Sequence, residues 1–174
     1  MPKYPPITYA LLSSKKVCST QLARFRVYFG DGPAPLDDGS ARKYADDFNF
    51  CGAAEHLLDH ADSVKFREAE NCAHRLWKEK YRSACLAKGR ILKLARGKYN
   101  SAVVRAWQRC DAAIGMGPVD RSREYDASVV KAWDDLEAVC IPEWRLWDKK
   151  MTGAQSAYSE AVAIAFVRLY RGES

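Results

Sequence analysis

The chain has 174 residues, a hydrophobic fraction of 48%, a charged fraction of 29% and a formal net charge of +6. That length and apolar content suit one folded domain, alone or with an extended appendage, and exclude a chain disordered throughout. The positive balance permits an acidic partner, nucleic acid included, without requiring one.

The start, Met1-Pro2-Lys3-Tyr4-Pro5-Pro6, lacks the apolar run of a signal peptide. The longest apolar run, Ala161 to Val167, falls far short of the ~20 residues of a membrane span. The expected location is therefore the cytoplasm, with no membrane contact. Cys18, Cys51, Cys72, Cys85, Cys110 and Cys140 form no CxxC pair. They read as small hydrophobes in a reducing compartment.

Residues 1–61 are turn-rich and predict a small helical head. A short helix is expected from Thr8 to Ser14. A second, capped by Ser19 or Thr20, runs to Phe29 with Leu22, Phe25 and Phe29 on one side. Gly30-Asp31-Gly32-Pro33-Ala34-Pro35 stops it. Ser40 opens a helix over Ala41 to Phe48, and Asn49 caps another from Phe50 to Asp59. No segment shows the alternation of a strand.

From residue 62 to 174 the pattern predicts a long antiparallel helical hairpin with its turn at 115–118. Asp62 is the expected N-cap of the first arm. Tyr81, Cys85, Leu92, Ala95, Tyr99, Val103, Ala106, Cys110 and Ile114 mark one helical face. Gly115-Met116-Gly117-Pro118 ends that arm. The second face runs through Tyr125, Val129, Ala132, Leu136, Cys140, Trp144, Trp147, Met151, Ala154, Tyr158, Val162, Ala165 and Leu169, and Gly172 closes it. Residues 62–114 and 119–171 each number 53, so the two apolar faces match in length and cover one another.

A repeat fixes the register. Tyr99-Asn100-Ser101-Ala102-Val103-Val104-Arg105-Ala106-Trp107 resembles Tyr125-Asp126-Ala127-Ser128-Val129-Val130-Lys131-Ala132-Trp133, and the copies straddle Met116 symmetrically. Antiparallel arms turning there set Tyr99 beside Trp133 and Trp107 beside Tyr125. Gly89 and Pro142 fall at one level of the same seam, and a proline inside a helix costs about 3 kcal/mol. The alternative architecture is thus a compact helical bundle with both arms broken near Gly89 and Pro142.

Charge is uneven. Residues 75–109 carry eleven bases and one acid, and residues 31–62 carry eight carboxylates and two bases. The basic run is a candidate partner-binding surface, with Arg90, Lys93, Arg96 and Lys98 as its chosen residues. In the head the candidates are Asp37, Asp38, Asp46 and Asp47, whose charge mimics nucleic acid. Trp133, Trp144 and Trp147 with Met151 become a hot spot if the hairpin opens near Pro142.

His56 and His60 stand four apart on an expected helix and are weak candidates for a metal pair; four converging ligands are missing, so no metal or other cofactor is expected. All three histidines lie between 56 and 74, and no GxxxxGK[ST] or GxGxxG motif exists. The chain is accordingly expected not to be an enzyme.

The segments Cys18-Ser19-Thr20-Gln21-Leu22-Ala23-Arg24-Phe25, Phe29-Gly30, Ala45-Asp46-Asp47-Phe48-Asn49-Phe50, Ala53-Ala54 and Leu57-Leu58, with Tyr81, Tyr99, Tyr125, Tyr158 and the ending Ala165-Phe166-Val167-Arg168-Leu169-Tyr170-Arg171-Gly172, resemble an uncharacterised helical accessory-protein family of phages and mobile elements. That family sets Ala- and Tyr-rich helical repeats behind a small head. Less regular repeats and several tryptophans depart from its pattern. The resemblance implies a phage or prophage accessory gene and transfers no catalytic residue. The function it suggests is anti-CRISPR-like: binding and inhibiting or modulating a bacterial host protein or protein–nucleic-acid complex. The alternatives are direct nucleic-acid binding through residues 75–109 and a structural virion or scaffolding component.

Overall fold

A computed structural model describes residues 3–113, 115 and 117–173, and the described residues form an all-α protein without strands. Six helices follow in order: α1 (Tyr9–Ser14), α2 (Ser19–Phe29), α3 (Asp38–Lys43), α4 (Phe50–Leu57), α5 (His60–Ala112) and α6 (Pro118–Arg171). Ile114 and Met116, the expected end of the first face and the pivot of the hairpin, lie outside the described residues.

Most boundaries follow from caps. The Asn49 side chain accepts from the Gly52 amide, as expected, and the Thr8 hydroxyl accepts from the Leu11 amide to cap α1. Three starts differ. Ser19 is already helical, and its N-cap residue Cys18 makes no side-chain cap. The cap of α3 is Asp37, whose carboxylate takes the Ser40 amide at 2.8 Å. Likewise Asp59 precedes α5 and takes the Asp62 amide at 2.9 Å. At the other end, Gly172 adopts φ +81, the left-handed region that glycine enters freely. Its amide donates to the Leu169 carbonyl and that of Glu173 to the Arg168 carbonyl, a Schellman closure of α6.

Helices α5 and α6 run unbroken through Gly89 and Pro142, so the alternative of broken arms is not what forms. Pro142 is solvent-exposed, which leaves the carbonyl it cannot satisfy open to water.

The chain divides into two compact units: residues 3–80 with 153–173, and residues 81–152. This differs from the expected division after residue 61. The head does not stand apart, because its core is completed by the near end of α5 and the far end of α6. Phe66 and Phe166 meet edge to face at 6.5 Å, Phe50 reaches Phe166 at 5.6 Å, and Tyr170 packs on Phe166 at 5.5 Å.

The N-terminal segment is tied to this first unit by a polar knot. Lys3 bridges Asp59 at 2.8 Å and Asp62 at 2.6 Å, and the Tyr4 hydroxyl donates to Asp62. Tyr4 also stacks on Tyr170, whose hydroxyl donates to the Pro5 carbonyl. Asp62 is 4% exposed, so its charge depends on these partners. The Lys3 ammonium holds both carboxylates below their ordinary 3.8, and they hold Lys3 above its ordinary 10.5. Carboxylates of depressed pKa contribute stability that is complete above 3.8 and lost as pH falls through the folded value; the raised Lys3 contributes below 10.5 and is lost as pH rises further. Thermal unfolding followed by circular dichroism should therefore show a midpoint dropping below pH 4. Asp62→Asn should lower the midpoint at neutral pH and flatten that acid limb. An unchanged acid slope would remove the knot from the account.

In the second unit α5 and α6 lie antiparallel. Tyr99 meets Trp133 edge to face at 5.9 Å, and the Lys88 ammonium sits 3.4 Å from the Trp144 ring centre and 4.2 Å from that of Trp147. Near the connection the Cys110 thiol faces the Arg121 carbonyl at 3.7 Å. In the first unit Phe66 faces Phe166, and His74 meets Tyr158 at 6.0 Å. Every one of these four aromatic or cationic levels, Lys88–Trp144 among them, is symmetric about position 116. The register read from the mirrored repeat is the one observed. Its second expected aromatic pair is absent: Trp107 is 60% exposed and makes no ring contact with Tyr125.

Candidate interaction surfaces

The expected seam residues Cys85, Leu92, Ala95, Tyr99, Val103, Ala106 and Cys110 are buried or half-buried. Tyr81 is the exception, 42% exposed. Among the described residues of the second unit the buried ones are all alanines: Ala84, Ala95, Ala106 and Ala132. On α5 they recur every eleven residues, and Ala73 of the first unit continues the series. Eleven residues make close to three helical turns, so the line runs nearly straight along the helix. The fully buried positions thus carry small side chains, and the larger apolar ones are half-buried beside them or exposed. Trp133 and Trp144 are 50% and 56% exposed with the hairpin closed, so no opening at Pro142 is needed to present them.

The acidic candidates divide. Asp37 caps α3 and also takes the Ser40 hydroxyl; the Ser40 amide first, and then its hydroxyl, hold the carboxyl below the usual range. Asp38 receives Arg168 at 2.6 Å and Arg171 at 3.2 Å, and the Arg168 guanidinium likewise holds its pKa down. Both are committed within the first unit, because a cap and two arginines of α6 already neutralise them. Asp46 is exposed and takes a weak hydrogen bond from Ser156 at 3.4 Å. Asp47 is half-buried beside Tyr28, whose phenol its charge pushes up, and its carbonyl receives Arg24. No common acidic surface gathers all four.

The basic candidates are different. Arg90, Lys93, Arg96 and Lys98 are all exposed on α5, and none enters an ion pair within the described residues. At about 100° per residue from the line through Ala95, Arg96 lies on one flank of the helix, Lys93 and Arg90 toward its outer side, and Lys98 on the opposite flank. Leu86, Leu94 and Val104 are exposed among them.

His56 and His60 do not share a helix. The α4 helix ends at Leu57 and α5 begins at His60, which breaks the four-residue spacing on which the metal pair depended. No group of three or more His, Cys, Asp or Glu able to hold a metal exists among the described residues.

One constellation was not visible in the sequence. The Cys51 thiol donates to Glu70 at 3.2 Å, the Tyr158 hydroxyl approaches the same oxygen at 3.4 Å, and His74 abuts the Tyr158 ring. Burial and the Glu70 carboxylate push the thiol up to about 11, and burial pushes the Tyr158 phenol up to about 12. A thiol so raised stays protonated at neutral pH and is a poor nucleophile. The residues involved are separated by 19 and 88 positions, so no local motif marks them.

The head holds a partly open pocket of about 290 Å³ whose lining includes Leu12, Phe25, Phe29, Tyr44, Phe48 and Phe166. No helix among the described residues is long and apolar enough to cross a membrane. No family model, curated protein or solved structure matches the chain.

Proposed function

We propose that this is a non-enzymatic cytoplasmic binding protein whose basic α5 surface attaches to an acidic face of a bacterial host or defence complex and modulates it, in the manner of an anti-CRISPR protein. The observation that carries the reading is the unpaired basic set Arg90, Lys93, Arg96 and Lys98 on a helix that also exposes Leu86, Leu94 and Val104. Aliphatic side chains between the bases suit an acidic protein surface with apolar ground between its charges. A phosphate backbone offers them nothing. The resemblance to phage accessory proteins supplies the bacterial setting. The engaged state of Asp37 and Asp38 argues for the basic arm over the acidic head as the contact.

The test is co-purification from bacterial lysate with wild type and with Arg90→Glu/Lys98→Glu. The double reversal should weaken capture of the target at least about tenfold while leaving helicity intact. Equal capture by both overturns the proposal. Direct nucleic-acid binding remains the second reading, favoured by the half-exposed Trp107 beside Arg105 and Arg109. Tight oligonucleotide binding that weakens steeply with salt would put it first.

A further inference from the structure

In the second unit only alanines are fully buried among the described residues, and many of its larger apolar side chains stand outside, not scattered. On α6 Val119, Val130 and Ile141 recur every eleven residues, as do Trp133 and Trp144, and all five are exposed. Asp126, Glu137 and Asp148 follow the same spacing, also exposed and without an ion pair. At about 100° per residue Trp133 and Trp144 fall on one flank of α6 beside the line through Ala132 and Leu136 that faces α5, and the acids and then the aliphatics follow in the same rotation toward its outer side. Two contacts fix which flank it is: Trp133 against Tyr99 and Trp144 beneath Lys88. On α5, rotation from Ala95 through Tyr99 continues to Arg96 and Trp107 and then to Arg82 and Lys93, all exposed. One broad side of the unit thus carries a basic edge on α5, the indoles Trp107, Trp133 and Trp144 along the middle, and on α6 an edge where the acids alternate with Val119, Val130 and Ile141.

We propose that this side of residues 81–152 is a homodimer interface, on which a second copy packs about a twofold axis parallel to the helices, each α5 lying opposite the partner's α6. Such an axis keeps every residue at its own level, so Arg96 meets the partner subunit's Glu137 and Arg82 meets the partner subunit's Asp148. A twofold axis across the helices would instead set α5 on α5 and oppose Arg82, Lys93 and Arg96 to themselves. Charge therefore selects the first arrangement and the self-complementarity a twofold interface requires. The area is adequate. Three half-exposed indoles offer roughly 100–150 Å² each, about half of the ~800 Å² per partner in a standard interface. Val119, Val130 and Ile141 extend it. Lys93 and Arg96 fall within this interface and Arg90 and Lys98 outside it, so the Arg90→Glu/Lys98→Glu variant tests partner binding and the Arg96/Glu137 variants test self-association.

The experiment is light scattering and sedimentation equilibrium on the full chain at low salt. Wild type should show about twice the chain mass of 19.6 kDa. Arg96→Glu and Glu137→Arg should each raise the dimer Kd about tenfold or more, and the double swap Arg96→Glu/Glu137→Arg should return it to within about threefold of wild type. Trp133→Ser/Trp144→Ser should be monomeric and helical by circular dichroism; should that variant lose its helices, the exposed charge swap still decides. A monomer at ~100 µM, or a dimer indifferent to both single reversals or not rescued by the swap, overturns the proposal and leaves the face to another partner.

Discussion

Phe166→Ala is expected to cost about 3–5 kcal/mol, the range for truncating a fully buried aromatic. Phe166 is 1% exposed and touches three rings from three different helical segments: Phe50 of α4, Phe66 of α5 and Tyr170 of α6. The upper part of the range applies because Phe166 also lines the 290 Å³ head pocket. Removing its ring enlarges a space that the neighbours already fail to fill, so little collapse is available to offset the loss. Against a total stability of about 5–15 kcal/mol this is about a fifth or more. Urea unfolding followed by circular dichroism measures it, with Trp133→Ala as the comparison in the second unit. That half-exposed residue gives up less contact, and its variant should lose clearly less. A Phe166→Ala variant within about 1 kcal/mol of wild type would show that the first unit is not organised around this cluster.

What was legible in the sequence follows from how local each signal is. Asn49 announces α4 because a cap acts within three residues. The same rule misplaced two starts for one reason. Ser40 and Asp62 are themselves capping residue types, but each sits at the third helical position and gives its amide to an aspartate three residues earlier, Asp37 and Asp59. The apolar face of α5 and α6 and the register about 116 were readable because helical periodicity and a mirrored repeat are properties of spacing. The eleven-residue recurrence of Ala84, Ala95 and Ala106 was equally present, but it is masked by the larger side chains that threes and fours pick out first. Once the seam is assigned to alanine, Trp107 and Trp144 fall to its edge. The engagement of Asp38 by Arg168 spans 130 positions, and the grouping of Cys51 with Glu70 and Tyr158 spans two helix packings; neither has a one-dimensional signature. The acidic head looked available only because its arginine partners lie at the other end of the chain.

Replacing the helix-weakening residues of the second unit should stabilise it. Pro142 removes one backbone hydrogen bond from the interior of α6, and Gly89 and Gly97 sit in the interior of α5. Nothing lies within 4 Å of a Cβ built on either glycine. Gly89→Ala and Gly97→Ala should therefore add about 1 kcal/mol each. Pro142→Ala should add about 1–3 kcal/mol, with the lower part of the range favoured because water already reaches the freed carbonyl. The sites are far enough apart to sum approximately. The gain should appear as slower amide exchange over residues 85–100 and 136–148 and a later urea midpoint. The outcome also discriminates between architectures. In continuous helices every one of these changes favours the conformation already present. In arms broken at Gly89 and Pro142 the same changes would straighten a required bend, and the triple variant would lose stability.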